Sequence, residues 1–125
     1  MMVYLDTHVV VMATQPVKLP RKVVALMRRA SVVRISPASL LELRFLREVG
    51  RLNVGPDAFV EALSGAFEFE ICPRAFGDVA TAALKFGWTR DPFDRLIVAQ
   101  ASLARSTLIT KDRLILENYA HARWD

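Results

Sequence analysis

At 125 residues the chain is the size of one domain, and its 53% hydrophobic content is enough for a real core. Seventeen basic and 13 acidic residues leave a formal charge of +4, which suits solubility and leaves room for an anionic partner. The single cysteine, Cys72, excludes an internal disulfide and fits a reducing compartment. The apolar start Met1–Leu5 is cut by Asp6 and lacks a basic flank, and no run of roughly 18 apolar residues could span a bilayer, so a cytoplasmic protein without a membrane segment is expected.

Met2–Leu5 is a short apolar run that ends at Asp6 and reads as a first buried strand. Thr7–Ala13 forms a short helix or a turn, and residues 15–20 a loop. A helix follows over Arg21–Ala30, with Val23, Val24, Leu26 and Met27 inward and Arg21, Lys22, Arg28 and Arg29 outward. Val32–Ile35 is a second strand. Ser36-Pro37 opens a helix from Ala38 to about Val49, with Gly50 at C′. Pro56-Asp57 opens another to about Leu63, closed by Gly65. Phe67–Ile71 alternates with Glu68 and Glu70, reads as a more exposed third strand, and is closed by Pro73. Phe76–Lys85 is helical and Gly87 ends it.

Asp91-Pro92-Phe93-Asp94 is a strong helix start, with Asp91 at the N-cap and proline at the first helical position. Leu96, Ile97, Ala99, Leu103 and Ala104 give that helix a wide apolar stripe, while Arg95, Gln100 and Arg105 fall on its other faces. Ser106 breaks it. Thr107–Thr110 is a short buried strand that ends at Lys111-Asp112. Leu114–Glu117 makes one helical turn, and residues 120–125 add an edge strand containing Trp124. Strands alternate with helices throughout, so the class is α/β, with a mostly parallel sheet covered on both faces in a single domain over residues 1–125.

Four of the 13 acids are set apart by position. Asp6 and Asp112 end apolar strands, Glu42 lies among Leu40, Leu41 and Leu43 early in its helix, and Asp94 opens the central helix. Singly, Asp6 and Asp112 are equally explained as helix caps, Asp94 as a partner of the helix dipole, and Glu42 as a surface residue. Those explanations give no reason for all four to fall on one edge of a parallel sheet, which is where such sheets bind ligands. Four close carboxylates repel unless a cation neutralises them, and hard oxygen ligands without cysteine or histidine partners favour Mg²⁺ or Mn²⁺. His8 and His121 have no partner visible in the sequence; His8, two residues after Asp6, could lie near the site, but an ordinary structural or surface role is expected first.

Four blocks carry a family resemblance: Tyr4-Leu5-Asp6-Thr7-His8-Val9-Val10, Ser36-Pro37-Ala38-Ser39-Leu40-Leu41-Glu42-Leu43, Arg90–Ala101, and Leu108-Ile109-Thr110-Lys111-Asp112-Arg113. In this order they resemble PIN domains, especially the VapC-type toxins of bacterial type II toxin–antitoxin pairs. One position departs from many relatives: Leu41 stands where they carry tryptophan, which changes packing and leaves the ligand set intact.

The resemblance implies a three-layer α/β/α sandwich and a Mg²⁺- or Mn²⁺-dependent endoribonuclease. Its acidic quartet falls on Asp6, Glu42, Asp94 and Asp112. The metal would be held by Asp6, Asp94 and Asp112, with Glu42 acting directly or through water. Asp91 is read first as the N-cap, with metal contact left open. Thr110, Thr7 and Ser36 are candidates to hydrogen-bond the carboxylates. Arg44, Arg47, Arg90, Arg95, Lys111 and Arg113 flank the acids and are candidates for RNA contact, or else for a solvated rim and salt bridges. A cognate antitoxin and a homodimer, within a larger toxin–antitoxin assembly, are the implied partners, with the helices at 21–30 and 38–49 as candidate grooves. The alternative is a catalytically silent PIN-like module that binds RNA or a protein. A response-regulator receiver is disfavoured, since Asp6 stands alone and no aspartate follows the third strand.

Overall fold

The structure, a computed structural model, describes residues 1–15 and 18–125, so part of the expected loop at 15–20 lies outside the described residues. Five strands, β1 (Met2–Leu5), β2 (Val32–Ile35), β3 (Phe69–Ile71), β4 (Thr107–Ile109) and β5 (Ala122–Arg123), form one sheet in the order β3-β2-β1-β4-β5. Every pairing is parallel, with Val3 opposite both Val33 and Thr107, and Leu108 opposite Ala122. The expectation of a mostly parallel sheet therefore sharpens to a wholly parallel one.

Among the described residues seven helices cover the sheet: α1 (Thr7–Ala13), α2 (Arg21–Arg29), α3 (Pro37–Glu48), α4 (Pro56–Ala66), α5 (Phe76–Ala83), α6 (Pro92–Leu103) and α7 (Arg113–Asn118). Side chains alternate across each strand, which builds the two cores. Val3, Leu5, Val33, Ile35 and Ile109 bury against α1, α2 and α4 and against Leu43 of α3. Tyr4 and Leu108 bury on the opposite face against Ile97, Val98 and Ala101 of α6 and Ile115 of α7. Val79 and Ala83 pack α5 onto Ala99 of α6. The result is the three-layer α/β/α sandwich, with α3 touching α1, α4 and α6. No helix among the described residues is long and apolar enough to cross a membrane.

Several boundaries differ from the sequence reading. Gly65 lies inside α4, which runs to Ala66, because Leu63 and Phe59 are buried and packing outweighs a weak helix former. The third strand is shortened to Phe69–Ile71, α5 stops at Ala83, and α7 extends over Arg113–Asn118. Trp124 falls just beyond β5. Gly50 takes the expected C′ position with φ +83°. At the end of α6 the left-handed residue is Arg105 (φ 49°), with Ser106 N–H on the Ala101 carbonyl (3.0 Å) and Arg105 N–H on the Ser102 carbonyl (3.0 Å). That pair of bonds is a Schellman motif built on arginine where glycine is usual.

β1 feeds β2 and β3 on one side, and the chain later returns to β4 and β5 on the other. The order reverses between β1 and β4. The carboxyl ends of strands flanking such a reversal open into a crevice, and Asp6 and Asp112 follow those two strands.

Candidate active site

Asp6 N–H donates to the Ile109 carbonyl (3.0 Å), so β1 and β4 stay paired up to the residue where the acids begin. Asp6 is the N-cap of α1, and its Oδ1 accepts from Thr7 N–H at 2.8 Å. Thr110, fully buried, donates from Oγ1 to Asp6 Oδ2 at 2.7 Å and accepts from Asp112 N–H at 3.0 Å. Asp112 caps α7, its Oδ1 accepting from Leu114 N–H (2.9 Å) and Ile115 N–H (3.2 Å). One threonine hydroxyl thus ties the two strand-end acids together.

His8 closes the same corner. Its Nε2 accepts from Lys111 N–H at 3.0 Å, and its Nδ1 lies 3.4 Å from Asp6 Oδ2. With Nε2 an acceptor, the neutral ring carries its proton on Nδ1, facing Asp6. Burial lowers the His8 pKa, helped by the Lys111 charge and opposed by Asp6 and Asp112, which keeps the ring neutral. Trp124 packs on it at 6.5 Å between ring centroids. Burial raises the pKa of Asp6 against the relief from His8, Thr110 and Thr7, and the Asp112 charge raises it further.

Asp94 sits in the first turn of α6, whose N-cap Asp91 accepts from Phe93 N–H (2.8 Å) and Asp94 N–H (3.3 Å). Its carboxyl is pushed up to about 7, first by burial and then by the charges of Asp6, Asp91, Asp112 and Glu42. All the other quartet acids therefore act on Asp94. Glu42, on α3, is raised by burial and by the Asp6 and Asp91 charges, with the Thr7 hydroxyl as its relief. That hydroxyl also donates to Ser39 Oγ at 3.0 Å, and having one proton it serves one acceptor at a time. Among the described residues Glu42 Oε1 is buried without a hydrogen-bond partner.

Among the described residues no lysine or arginine forms an ion pair with the quartet, and the contact there is that of the neutral His8 ring with Asp6. Arg44, Arg90, Lys111 and Arg113 are exposed. Arg95 donates from Nε to the Thr89 carbonyl at 2.7 Å, and the Arg47 guanidinium lies against Gly55. The salt-bridge alternative for these cations is therefore not what the structure holds.

Two observations bear differently on a metal. Among the described residues no three acidic, histidine or cysteine side chains converge tightly enough to enclose an ion by themselves, yet all four acids share one field. Coulombic coupling reaches beyond coordination distance, so the two are compatible. Mg²⁺ takes one or two carboxylates directly and keeps several waters, so an open set of hard oxygens with an orphaned Glu42 Oε1 fits it.

The sequence profile of the PIN domain family matches residues 3–121. The chain belongs to the PIN domain family. Its fold is shared with a chain of VapBC2 from Rickettsia felis bound to a promoter DNA fragment, at a TM-score of 0.69, 16% identity and full coverage of both chains. A chain of a toxin–antitoxin complex from Klebsiella pneumoniae is similar at a TM-score of 0.66 and 20% identity, covering 97% of this chain and 95% of that one. No curated protein matches the sequence.

The PIN domain places Thr7 and Thr110 beside the acids, as expected, and departs from expectation at Ser36 and Gln100. Ser36 caps α3, accepting from Ala38 N–H at 3.1 Å, and donates to Gln100 Oε1 at 2.6 Å; its hydrogen bonds do not go to the carboxylates. Gln100, expected on an outer face of its helix, is 2% exposed. Asp91 is the N-cap it was first read to be. Ser39 was missed as part of the site, and His8, read first in an ordinary role with a place near the site left open, is part of it. The available signal was spacing, since His8 follows Asp6 by two residues and Ser39 precedes Glu42 by one helical turn.

Proposed function

We propose that this PIN domain is a Mg²⁺- or Mn²⁺-dependent endoribonuclease and the toxin of a type II toxin–antitoxin pair, acting in a prokaryotic cytoplasm. PIN domains are generally nucleases, which supports phosphodiester hydrolysis. The observation that carries the reading is the charge state of the quartet. Four carboxylates share one electrostatic field near the reversal of the sheet, Asp94 is driven up to about 7, and no lysine or arginine among the described residues pairs with them. Such a site is relieved by a cation.

Asp6, Asp94 and Asp112 would hold the ion, with Glu42 acting directly or through water. Bound there, a divalent ion supplies a Lewis acid for a phosphodiester and lowers the pKa of water. The chain's own work is orientation. Thr110 and His8 aim Asp6, and Thr110 fixes the backbone at Asp112. The exposed Arg44, Arg90, Lys111 and Arg113 are placed to hold flanking phosphates that the acids alone would repel. Arg95, bound to Thr89, is better suited to fixing the start of α6.

The toxin role rests on the four sequence blocks and on the structural likeness to chains from a VapBC complex and a toxin–antitoxin complex. It brings an antitoxin partner and a homodimer with it. Phe45 on α3, Val49 at its C-cap and Val54 beyond it are exposed apolar side chains open to such association.

End-labelled RNA incubated with purified protein in Mn²⁺ or Mg²⁺, against EDTA and beside Asp94→Asn, tests the enzyme. Metal-dependent cutting lost in the variant is expected. Equal cutting by both proteins would sink the quartet. Absence of cutting with metal binding intact would favour the silent module. Growth arrest on expression, absent for Asp94→Asn, tests the toxin role.

A further inference from the structure

A cavity of about 260 Å³ opens between α3, α5 and α6. Leu41, Phe76 and Phe93 form apolar walls, Ser36 and Gln100 lie deep in it, and Arg74 is at the rim. Leu41 and Phe93 immediately precede Glu42 and Asp94, and successive helical residues point about 100° apart, so the two helices that carry the helix acids also wall the cavity.

We propose that this cavity seats one nucleobase of the RNA strand whose phosphate lies at the acids, and so selects where the chain cuts. The proposal rests on the ribonuclease reading. Phe93 and Phe76 supply aromatic surface, on which any base can stack. Phe76 is 69% exposed and Leu41 63% exposed, so the rim carries large apolar groups with little cover of their own. The depth of the cavity is polar. Ser36 donates to Gln100 Oε1, which uses one of the four hydrogen bonds a glutamine side chain can make. A base edge carries donors and acceptors that match the remainder, whereas an apolar peptide side chain would fill the walls and offer the amide nothing. Arg74 stands where the next phosphate of a strand would need a cation.

Two readouts test this. The first is NMR titration of the protein, without divalent metal, with each of the four 5′-ribonucleoside monophosphates. The second is a map of cut sites on a random-sequence RNA in Mn²⁺. The variants are Phe76→Ala, at an exposed position where folding is not at stake, and Ala38→Leu, which fills the cavity. At least one nucleotide is expected to shift the Phe76 and Phe93 ring signals and the Gln100 side-chain amide. Its affinity should fall about tenfold in each variant, roughly the worth of one base stack. The base preference beside the cut should flatten in both variants. Ring and amide signals unmoved by all four nucleotides would overturn the proposal, as would variants that keep the wild-type base preference. If wild type fails to cut, or Asp94→Asn cuts equally well, the ribonuclease reading falls and the nucleotide titration alone decides the cavity.

Discussion

Asp6 and Asp112, at the ends of β1 and β4, are held by the protein itself: Thr7 N–H, Thr110 Oγ1 and the His8 ring face Asp6, and two backbone N–H groups bond to Asp112. Glu42 and Asp94, on α3 and α6, share the same field with far less support. Glu42 Oε1 is buried and has no partner among the described residues, and Asp94 is driven up to about 7. The strand-end pair therefore sets position, because its geometry is fixed by backbone and hydroxyl donors. The helix pair is where negative charge is least relieved, because its carboxyls are desolvated and repel one another.

The sharpest way to break this comparison is Asp94→Asn. If the helix pair supplies the charge that a cation answers, RNA cleavage should fall by about 10²–10³-fold, the scale of losing a central electrostatic group. The same substitution should leave the metal-free protein at least as stable as wild type at pH 8, since it removes one of several crowded charges. A thermal melt in EDTA checks the second half. A less stable variant would mean that Asp94 is supported in ways the hydrogen bonds do not reveal.

The strand-end pair makes the opposite prediction. Thr110→Val keeps the shape of a fully buried side chain and removes the hydroxyl that donates to Asp6 and accepts from Asp112 N–H. Leaving those groups unmatched should cost about 1–3 kcal/mol in urea denaturation. A neutral outcome would show that the hydroxyl link does not set position.

Acidity distinguishes the two pairs further. Burial and the neighbouring acids push the Asp94 carboxyl up to about 7, against an ordinary value of 3.8. The folded state thus binds the proton more tightly than the unfolded state, and stability falls as pH rises between those values. The full shift would be worth about 4 kcal/mol at 1.36 kcal/mol per unit. Because the carboxyl is only partly buried and water screens it, roughly 1–2 kcal/mol is expected. The quantity to measure is the difference in unfolding free energy between wild type and Asp94→Asn in EDTA, from pH 4 to 7.5. It should widen as pH rises, and Mn²⁺ should abolish the trend. A flat difference would remove the charge strain from the helix pair.

The strand-end acids were readable because each closes an apolar run, and a parallel α/β sheet has one edge where such ends gather. Asp94 was readable from the Asp-Pro start of its helix. What escaped depended on residues distant in sequence. Gln100 looks like a surface position by helical spacing, and is buried because Ser36, 64 residues away, meets its amide. His8 acquires a role only when Lys111 is brought beside it, 103 residues on. Gly65 failed as a stop because the burial of α4 was stronger than a local preference. The direction of β5 followed from α7 crossing back over the sheet, which six residues of amphipathic pattern do not announce.

The smallest effect separates the two duties of Asp112. As an N-cap it needs only an oxygen that accepts from Leu114 and Ile115 N–H, and as part of the quartet it needs a charge. Asparagine caps a helix about as well as aspartate, while alanine loses roughly 1 kcal/mol. Asp112→Asn should therefore melt close to wild type and Asp112→Ala below it, while both lose metal-dependent cleavage. If Asp112→Asn is as unstable as Asp112→Ala, the charge itself is stabilising at the α7 N-terminus. The strand-end pair would then owe its order to the helix dipole as well as to its hydrogen bonds. If Asp112→Asn retains full cleavage, Asp112 is a cap and nothing more, and the cation is left to Asp6, Glu42 and Asp94.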